Sequence, residues 1–468
     1  MKNKLIFLII VMFVLHGMKN ARQLNDLAIV SAIGIDMNET GDFIITSQIL
    51  NPKKQNTSGS GTSSSKGSSD IVVYNSTSTS IQTAIRNIVE EAPRRLYLAH
   101  MELLLISEKV AMQEDILDTL DYFIRDNEGS NNFMLVITKD TTPQKVMEIL
   151  TPLETNPAKN IKDSIVATNK YKGICTDKTL SENIAMFLKE GQSAVLTSIE
   201  IDYGDSSIEN EESLEDNKIE NSDNKDKSKN PEESITADEK NKNENTKKEE
   251  QVKNEDKDET KESGNKQINQ VFSFSQKSNT GDSQKSSENA SNAKVKVSYL
   301  GYFKEKSLSG YLDNDTSFMY NLLSNQAEAG IIKIGENKEL LVTEIVKSNA
   351  KIRPKIENDE YKVDITIDMR CILSELGKDI NLDTQEDVYK YQNKIAEKIK
   401  NEIEKFIELA KNEYECDLMG FGSAYYKYNN KAYEKIKNMY GDEYYKHIGA
   451  NINVNVELPN EGGTYNIW

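Results

Sequence analysis

An abrupt change of composition divides this chain and limits what it can fold into. Between Gly204 and about Asn292 the sequence is dominated by Glu, Asp, Lys, Asn and Ser, as in "NKNENTKKEEQVKNEDKDET". Apolar side chains there are too few to offset the backbone entropy lost on folding, about 1–2 kcal/mol per residue. We therefore predict a disordered linker over residues 204–294, which acts as a spacer between two folded regions.

The region before the linker, residues 22–203, alternates strand and helix patterns. The β-branched runs "LAIVSAIGID" and "DFIITSQIL" predict a strand hairpin. Apolar residues at helical spacing follow from Ile81 to Val89. The apolar run "LYLAHMELLLIS" is interpreted as one long strand. The pattern predicts an N-terminal α/β region, which could comprise two subdomains.

The region after the linker, residues 295–468, begins with several strand patterns. A helix is predicted from about Thr384 to Tyr414, with an apolar stripe on one side and Lys and Glu over the rest. The segment "NINVNVELP" alternates apolar and polar residues, which indicates a half-buried strand. We expect a C-terminal α+β domain with the long helix packed on a mostly antiparallel sheet. The fold class of the whole chain is then α+β with mixed α/β character.

The first residues have the pattern of an export signal. Lys2 and Lys4 flank the unbroken apolar run "LIFLIIVMFVL", which extends from Leu5 to Leu15. Such a run is typical of a secretory signal and is shorter than the ~20 apolar residues of a full membrane span. Residues 1–21 are therefore predicted to be a signal peptide or an N-terminal membrane anchor. The body of the protein is expected outside the cytoplasmic membrane.

Composition and motifs argue against several function classes. A net charge of −18 is unsuited to a nucleic-acid groove, which needs clustered cations. Cys175, Cys371 and Cys416 are far apart in sequence and are interpreted as small apolar core residues. His100 is interpreted as a core or edge residue. The sequence contains no recognisable nucleophile–base, phosphate-loop or dinucleotide motif. We predict no catalytic residues, no cofactor and no metal site, and hence a protein that is not an enzyme.

Several segments, taken in order, resemble one family. "RQLNDLAIVSAIGID", "TSIQTAIRNIVEEAPRRLYLAHMELLLISEKVA" and "EIEKFIELAKNEYECDLMGFGSAYYK" resemble segments of the Ger(x)C family, the C-subunits of bacterial spore germinant receptors. The resemblance extends over nearly all of the chain except the linker. The positions that match family motifs are Arg22, Leu24, Asn25, Asp26, Arg94, Arg95, Leu96, Asp417, Gly420, Phe421 and Gly422.

The resemblance implies a function without chemistry of its own. Members are lipoproteins on the outer face of the spore inner membrane, in complex with A- and B-type receptor subunits. The assembly responds to small nutrients and triggers germination. A small-molecule germinant is then a partner of the receptor, and its contact with this chain is indirect.

The position of the lipid-carrying cysteine departs from the family pattern. Leu15-His16-Gly17 approaches a lipobox, but Met18 follows, and a thioether cannot take up the diacylglyceryl group. We therefore expect no lipidation and an uncleaved apolar segment as the anchor. An exported solute-binding protein, which captures a nutrient directly between its domains, remains the alternative function.

Overall fold

The computed structural model of this chain describes residues 26–51, 71–126, 130–149, 156–204 and 293–459. The predicted signal segment and all but the ends of the predicted linker lie outside these ranges, so both remain predictions. Within the described ranges, no helix combines the length and the apolar character that a membrane span requires.

Nine of the described strands form one mixed sheet in the order β3-β2-β1-β5-β6-β7-β8-β9, with β4 beside β1. Neighbours from β1 through β5 and β6 to β7 are parallel, and the outer pairs are antiparallel. The strands are β1 (Leu27–Met37), β2 (Phe43–Leu50), β3 (Ile71–Ser78), β4 (Arg95–Tyr97), β5 (Leu103–Ser107), β6 (Met134–Thr138), β7 (Val195–Asp202), β8 (Lys294–Lys304) and β9 (Ser307–Tyr311).

Helices cover both faces of this sheet, which explains why its central strands are apolar throughout. They are α1 (Ile81–Asn87), α2 (Glu108–Gln113), α3 (Ile116–Arg125), α4 (Pro143–Glu148), α5 (Pro157–Lys172) and α6 (Leu180–Phe187). Every residue of β5 is buried. Leu103 and Leu105 pack with residues of α4 and α5, whereas Leu104 and Ile106 face the larger core on the opposite side. This alternation is the period of two that a strand imposes.

The run "LYLAHMELLLIS" is two strands, so the prediction of one long strand is wrong. β4 pairs with β1 at Leu27–Ile29 and β5 pairs with the same strand at Ala32–Ile35. The register of β1 with β2 shifts between Val30 and Ala32. β4 pairs with β1 before this shift and β5 pairs with it afterwards, and a turn joins the two strands. His100 lies in this turn and is exposed, beside the Tyr97 ring. It is therefore not a core residue.

The second sheet has the order β10-β11-β12-β13 among the described strands. Its members are β10 (Ile331–Ile334), β11 (Leu341–Glu357), β12 (Glu360–Leu376) and β13 (Gly449–Glu457). All neighbours are antiparallel except β12 and β13. A two-residue turn at Asn358 and Asp359, both with positive φ, joins the two long strands. Such turns match the twist of a hairpin.

The long predicted helix packs against this sheet. The remaining helices are α7 (Asn314–Leu323), α8 (Gln385–Asn412), α9 (Phe421–Tyr428) and α10 (Asn430–Tyr440), followed by a 3-10 helix at Gly441–His447. The apolar stripe of α8 is buried, and Thr384 caps its first turn. In β13 the apolar side chains are half-buried and the asparagines between them are exposed. The predicted fold class is thereby confirmed.

The first sheet continues across the predicted linker. β8 follows the linker in sequence, yet it pairs antiparallel with β7, from Asp202 opposite Lys294 to Val195 opposite Tyr302. Strands from both sides of the linker therefore share one sheet. The predicted domain boundaries at residues 203 and 295 therefore remain a prediction. The hydrogen bonds between β7 and β8 join the two predicted domains.

We predict that deleting residues 205–292 leaves a cooperatively folded protein. The deletion joins β7 to β8 through Tyr203, Gly204 and Ala293, a loop length common in hairpins. Shortening the connection from about 90 residues to about three reduces the conformational entropy that is lost when the loop closes. The free energy of unfolding should therefore rise by up to about 3 kcal/mol. Urea unfolding followed by circular dichroism measures this change. Two separate unfolding transitions in the deletion variant would contradict the shared sheet.

Candidate functional site

The turn between α8 and α9 folds around the side chain of Asp417. Its Oδ1 accepts hydrogen bonds from the backbone N–H groups of Gly420 (2.8 Å) and Phe421 (3.0 Å). Its Oδ2 accepts from the N–H of Gly422 (2.7 Å) and from the Tyr444 hydroxyl (3.0 Å). The carboxylate thus satisfies amides at the start of α9 that have no partner within the helix.

Burial sets the protonation behaviour of this carboxyl group. Asp417 is 3% exposed, and burial raises the pKa of its carboxyl group to about 6, although the four hydrogen bonds act in the opposite direction. Burial and the negative charge of Asp417 also raise the pKa of Tyr444. The tyrosine therefore stays a hydrogen-bond donor to the carboxylate. Both carboxylate oxygens of Asp417 accept hydrogen bonds from within the protein, which suits a structural role.

Two glycines of the motif are required by space and backbone conformation. Gly420 has a φ of +74°, a conformation that favours glycine. A Cβ on Gly422 would overlap the Tyr444 ring, so a larger residue would separate this ring from Asp417. The two glycines are therefore a geometric consequence of packing a tyrosine and a carboxylate against the start of α9.

Residues that precede β7 join the same cluster. The Ser193 N–H donates to the backbone carbonyl of Asp417 (2.9 Å), and the Ser423 N–H donates to the carbonyl of Gly191 (2.7 Å). The Glu190 carboxylate accepts from Lys437 Nζ (2.6 Å) and from the Tyr433 hydroxyl (2.6 Å). We call this cluster the Asp417 junction: residues 190–193 together with 417–423, Tyr433, Lys437 and Tyr444.

Charge and aromatic contacts fix the outer part of the junction. Hydrogen bonds from Lys437 and Tyr433 hold the pKa of Glu190 below its usual range, so Glu190 is ionised at neutral pH. The Tyr433 and Tyr444 rings meet edge to face, with centroids 5.6 Å apart. The Tyr425 hydroxyl lies 2.7 Å from the carbonyl oxygens of both Lys355 and Lys362 and has one proton to donate to them, which ties α9 to the β11–β12 hairpin.

The other motif segments lie in the first sheet. β4 pairs in parallel with the beginning of β1, so that Arg95 is opposite Leu27 and Leu96 is opposite Ala28. Asp26 directly precedes that pairing, so this one described residue of the first motif segment lies at the start of the strand that neighbours β4. Leu96 is buried, Arg94 is half-buried and Arg95 is exposed. Met18, Arg22, Leu24 and Asn25 lie outside the described residues.

A cleft of about 830 Å³ opens beside Arg95 and Leu96. Residues of α1 and α3 form its walls, and its lining carries cations such as Arg86 and acids such as Asp118. Arg125, at one side, is paired with Asp121 at 2.7 Å. The cleft is large enough for a small molecule.

The described residues hold no group of three or more His, Cys, Asp or Glu side chains arranged to bind a metal ion. Cys175, Cys371 and Cys416 are buried and unpaired with one another, and burial raises the pKa of each thiol to about 12. These thiols therefore stay protonated at neutral pH and are poor nucleophiles.

Sequence reasoning found Asp417, Gly420, Phe421 and Gly422 but missed their partners. Ser193 is a partner of Asp417, and Glu190 is a partner of Tyr433 and Lys437 in the same junction. Each is more than 200 residues from its partners in sequence, and no local pattern identifies them. Tyr444 is buried and donates a hydrogen bond to Asp417, a contact that no local sequence pattern indicates.

Family sequence models match both of the predicted folded regions. The sequence model of the spore germination protein N-terminal domain matches residues 20–201, and that of the spore germination B3/GerAC-like C-terminal domain matches residues 298–462. Together they cover most of the chain, which therefore belongs to the GerAC-like, or Ger(x)C, family of spore germination proteins.

One curated relative and one solved structure are similar to this chain. Spore germination protein KC of Bacillus subtilis (strain 168) is 32% identical over 169 residues, which are 36% of this chain. The match spans 41% of that relative's length. The crystal structure of the GerBC protein aligns with 92% of this chain and 97% of its own, at 14% identity and a TM-score of 0.46.

We predict that Asp417→Asn lowers the free energy of unfolding by about 1–3 kcal/mol at pH 7.5, because the amide leaves a buried N–H without an acceptor. The matched control is Asp442→Asn, an exposed site where we expect a change within about 0.5 kcal/mol. Chemical denaturation of both variants measures the difference. Equal stability of the two variants would refute the role of the Asp417 carboxylate.

The stability of the wild type and of Asp417→Asn, measured over a range of pH, tests the pKa of Asp417. A folded-state pKa of about 6 lies above the ordinary value of 3.8, so the folded protein takes up this proton first as the pH falls. The stability that this group contributes is complete below pH 3.8 and is lost as the pH rises through 6. The free energy of unfolding of the wild type should therefore rise relative to that of Asp417→Asn by about 2 kcal/mol between pH 7.5 and 4.5. If the difference in the free energy of unfolding between the wild type and Asp417→Asn becomes smaller on acidification, the pKa of Asp417 is not raised.

Gly422→Ala should destabilise the protein by about 1–3 kcal/mol, since the added methyl group displaces the Tyr444 ring. Gly449→Ala is the matched control, because the new Cβ there would meet the flexible side chain of Lys362 at 3.3 Å. Thermal unfolding of the two variants compares them. A Gly422 variant as stable as the Gly449 variant would disprove the steric argument.

Proposed function

We propose that this chain is a non-enzymatic C-subunit of a nutrient germinant receptor. The observation that carries the proposal is the family match, which includes both the N-terminal and the C-terminal germination domain. The name of the Bacillus subtilis relative, a spore germination protein, supports the same process. In this proposal the folded regions are residues 22–203 and 295–468, joined by a disordered linker.

The proposed partners are the A- and B-type receptor subunits. The chain contributes to receptor assembly and signalling, and the nutrient acts on the assembly without necessarily touching this subunit. Nucleic acid is not a partner, because a chain of net charge −18 repels a phosphate backbone. The Asp417 junction supports a scaffold role, since it fixes segments from both family domains in one arrangement.

The proposed location is the outer face of the spore inner membrane. The apolar run from Leu5 to Leu15 would hold the chain there as an anchor, with Lys2 and Lys4 on the cytoplasmic side. Met18 removes the thiol that a lipoprotein needs, so the anchor would replace the lipid.

We assign the motif residues two roles within this function. Asp417, Gly420, Phe421 and Gly422 fix the start of α9. Asp26 and residues 94–96 lie at neighbouring positions beside the first sheet, where Asp26 and Arg95 are exposed. This second surface is the one we propose to contact another subunit.

Affinity purification from detergent-solubilised spore membranes tests the function directly. The C-terminally tagged full chain should recover two membrane partners, identified by mass spectrometry. Arg95→Glu should reduce their recovery, while Asp442→Asn should not, because Asp442 is exposed on the second sheet's helical layer. A variant lacking residues 2–17 should leave the membrane fraction.

Recovery of the tagged chain alone, in the soluble fraction, would contradict the receptor role. The cleft of about 830 Å³ beside Arg95 favours the second candidate, an exported solute-binding protein. Saturable binding of a nutrient to the purified chain, abolished by Arg86→Ala, would support that candidate instead.

A further inference from the structure

A smaller pocket of about 200 Å³ lies beside the Asp417 junction. One face of α9 forms a wall of it, with residues at helical spacing from Gly420 through Ser423 to Lys427. The segment that precedes β7 forms the opposite wall through Lys189 and Gln192. The pocket therefore lies where segments from both sides of the linker meet.

The lining of this pocket is positively charged in an acidic protein. The chain carries a net charge of −18, yet the lining includes Lys189 and Lys427 and no Asp or Glu. Within the described residues neither lysine forms an ion pair, and Lys189 Nζ donates a hydrogen bond to Gln192 Oε1 (2.5 Å). Two cations in one small pocket repel each other, and the negative charge of Asp417 acts on Lys189 from outside the pocket lining.

The nearest acids are already engaged. Asp417 is close in sequence to the lining residues Met419 and Gly420, but its oxygens accept hydrogen bonds from Gly420, Phe421, Gly422 and Tyr444. Glu190 is paired with Lys437 at 2.6 Å. Loss of hydration lowers the pKa of Lys189, the charge of Lys427 lowers it further, and the charge of Asp417 offsets only part of this decrease. The protein itself therefore leaves this positive charge incompletely compensated.

Two further groups could contact a ligand in this pocket. The Ser423 side chain is half-exposed, and its hydroxyl makes no hydrogen bond within the described part of the chain. Tyr428 lines the pocket, and the Arg353 guanidinium stacks on its ring at 4.0 Å from the centroid. A hydroxyl donor and a third nearby cation add to the two lysines.

We propose that this pocket binds a small oxyanion, the carboxylate or phosphate group of a ligand, between Lys189 and Lys427. Its volume is below the ~300–1,000 Å³ of pockets that enclose whole drug-sized molecules, so it fits a single charged group. The bound anion links the segment before β7 to α9 and stabilises the Asp417 junction. The anion is free in solution or is the headgroup of an anionic lipid.

Thermal unfolding of the full-length protein at pH 7 tests this proposal. Inorganic phosphate should raise the midpoint temperature saturably, beyond the effect of sodium chloride at equal ionic strength, because it binds the folded state. Lys189→Gln and Lys427→Gln should each weaken the apparent phosphate affinity by about tenfold. Lys189→Arg should retain it. Lys431→Gln, an exposed lysine of α10 outside the pocket, is the matched control.

A flotation assay separates the two sources of the anion. Vesicles of phosphatidylglycerol and of phosphatidylcholine are mixed with the wild type, the two glutamine variants and the control. Loss of phosphatidylglycerol binding in the two variants alone assigns the site to a lipid headgroup. If all four proteins float equally, and phosphate raises the midpoint temperature less in the two glutamine variants than in the wild type, the site binds a free anion.

The proposal is overturned if phosphate acts no differently from sodium chloride and all four proteins float equally. It is also overturned if phosphate stabilises the wild type and both glutamine variants to the same extent. Circular dichroism spectra and midpoint temperatures without phosphate establish that the variants are folded, so that a loss of binding is not a loss of structure.

Discussion

A buried carboxylate, that of Asp417, organises the part of this protein where its two family domains meet. Removing a carboxylate from water is costly unless hydrogen bonds replace the lost hydration. Asp417 receives four, three from the start of α9 and one from Tyr444. The position of α9 and of the 3-10 helix therefore depends on one side chain. Ser193 contacts the backbone of the same residue, so the segment before β7 is fixed with them.

Backbone pairing supplies the second connection between the two parts. β7 and β8 lie on opposite sides of the predicted linker in sequence and are neighbours in one sheet. Segments from both sides of the predicted linker therefore belong to one compact unit. The carboxylates of Asp417 and Glu190 accept hydrogen bonds from within this unit, which suits a structural role for both residues. We therefore regard Asp417 as a positioning residue.

Local patterns predicted the elements whose periodicity is long and regular. The stripe of α8 and the alternation of β13 placed both elements correctly, because burial on one face leaves a clear period in sequence. The same reasoning failed at "LYLAHMELLLIS", where the break depends on how β4 and β5 share β1. The resemblance located Asp417 and its glycines. It could not supply Ser193, Glu190 or Tyr444, since these contacts join residues distant in sequence and leave no periodic trace.

Native-state hydrogen exchange of the full-length protein is the most direct measurement of the central claim, that both domains fold as one unit around Asp417. The amides of Gly422, Ser423 and β8 should exchange with similar protection and respond together to denaturant, because one cooperative opening exposes them. Independent exchange, with the Gly422 and Ser423 amides opening at much lower free energy than β8, would contradict the account.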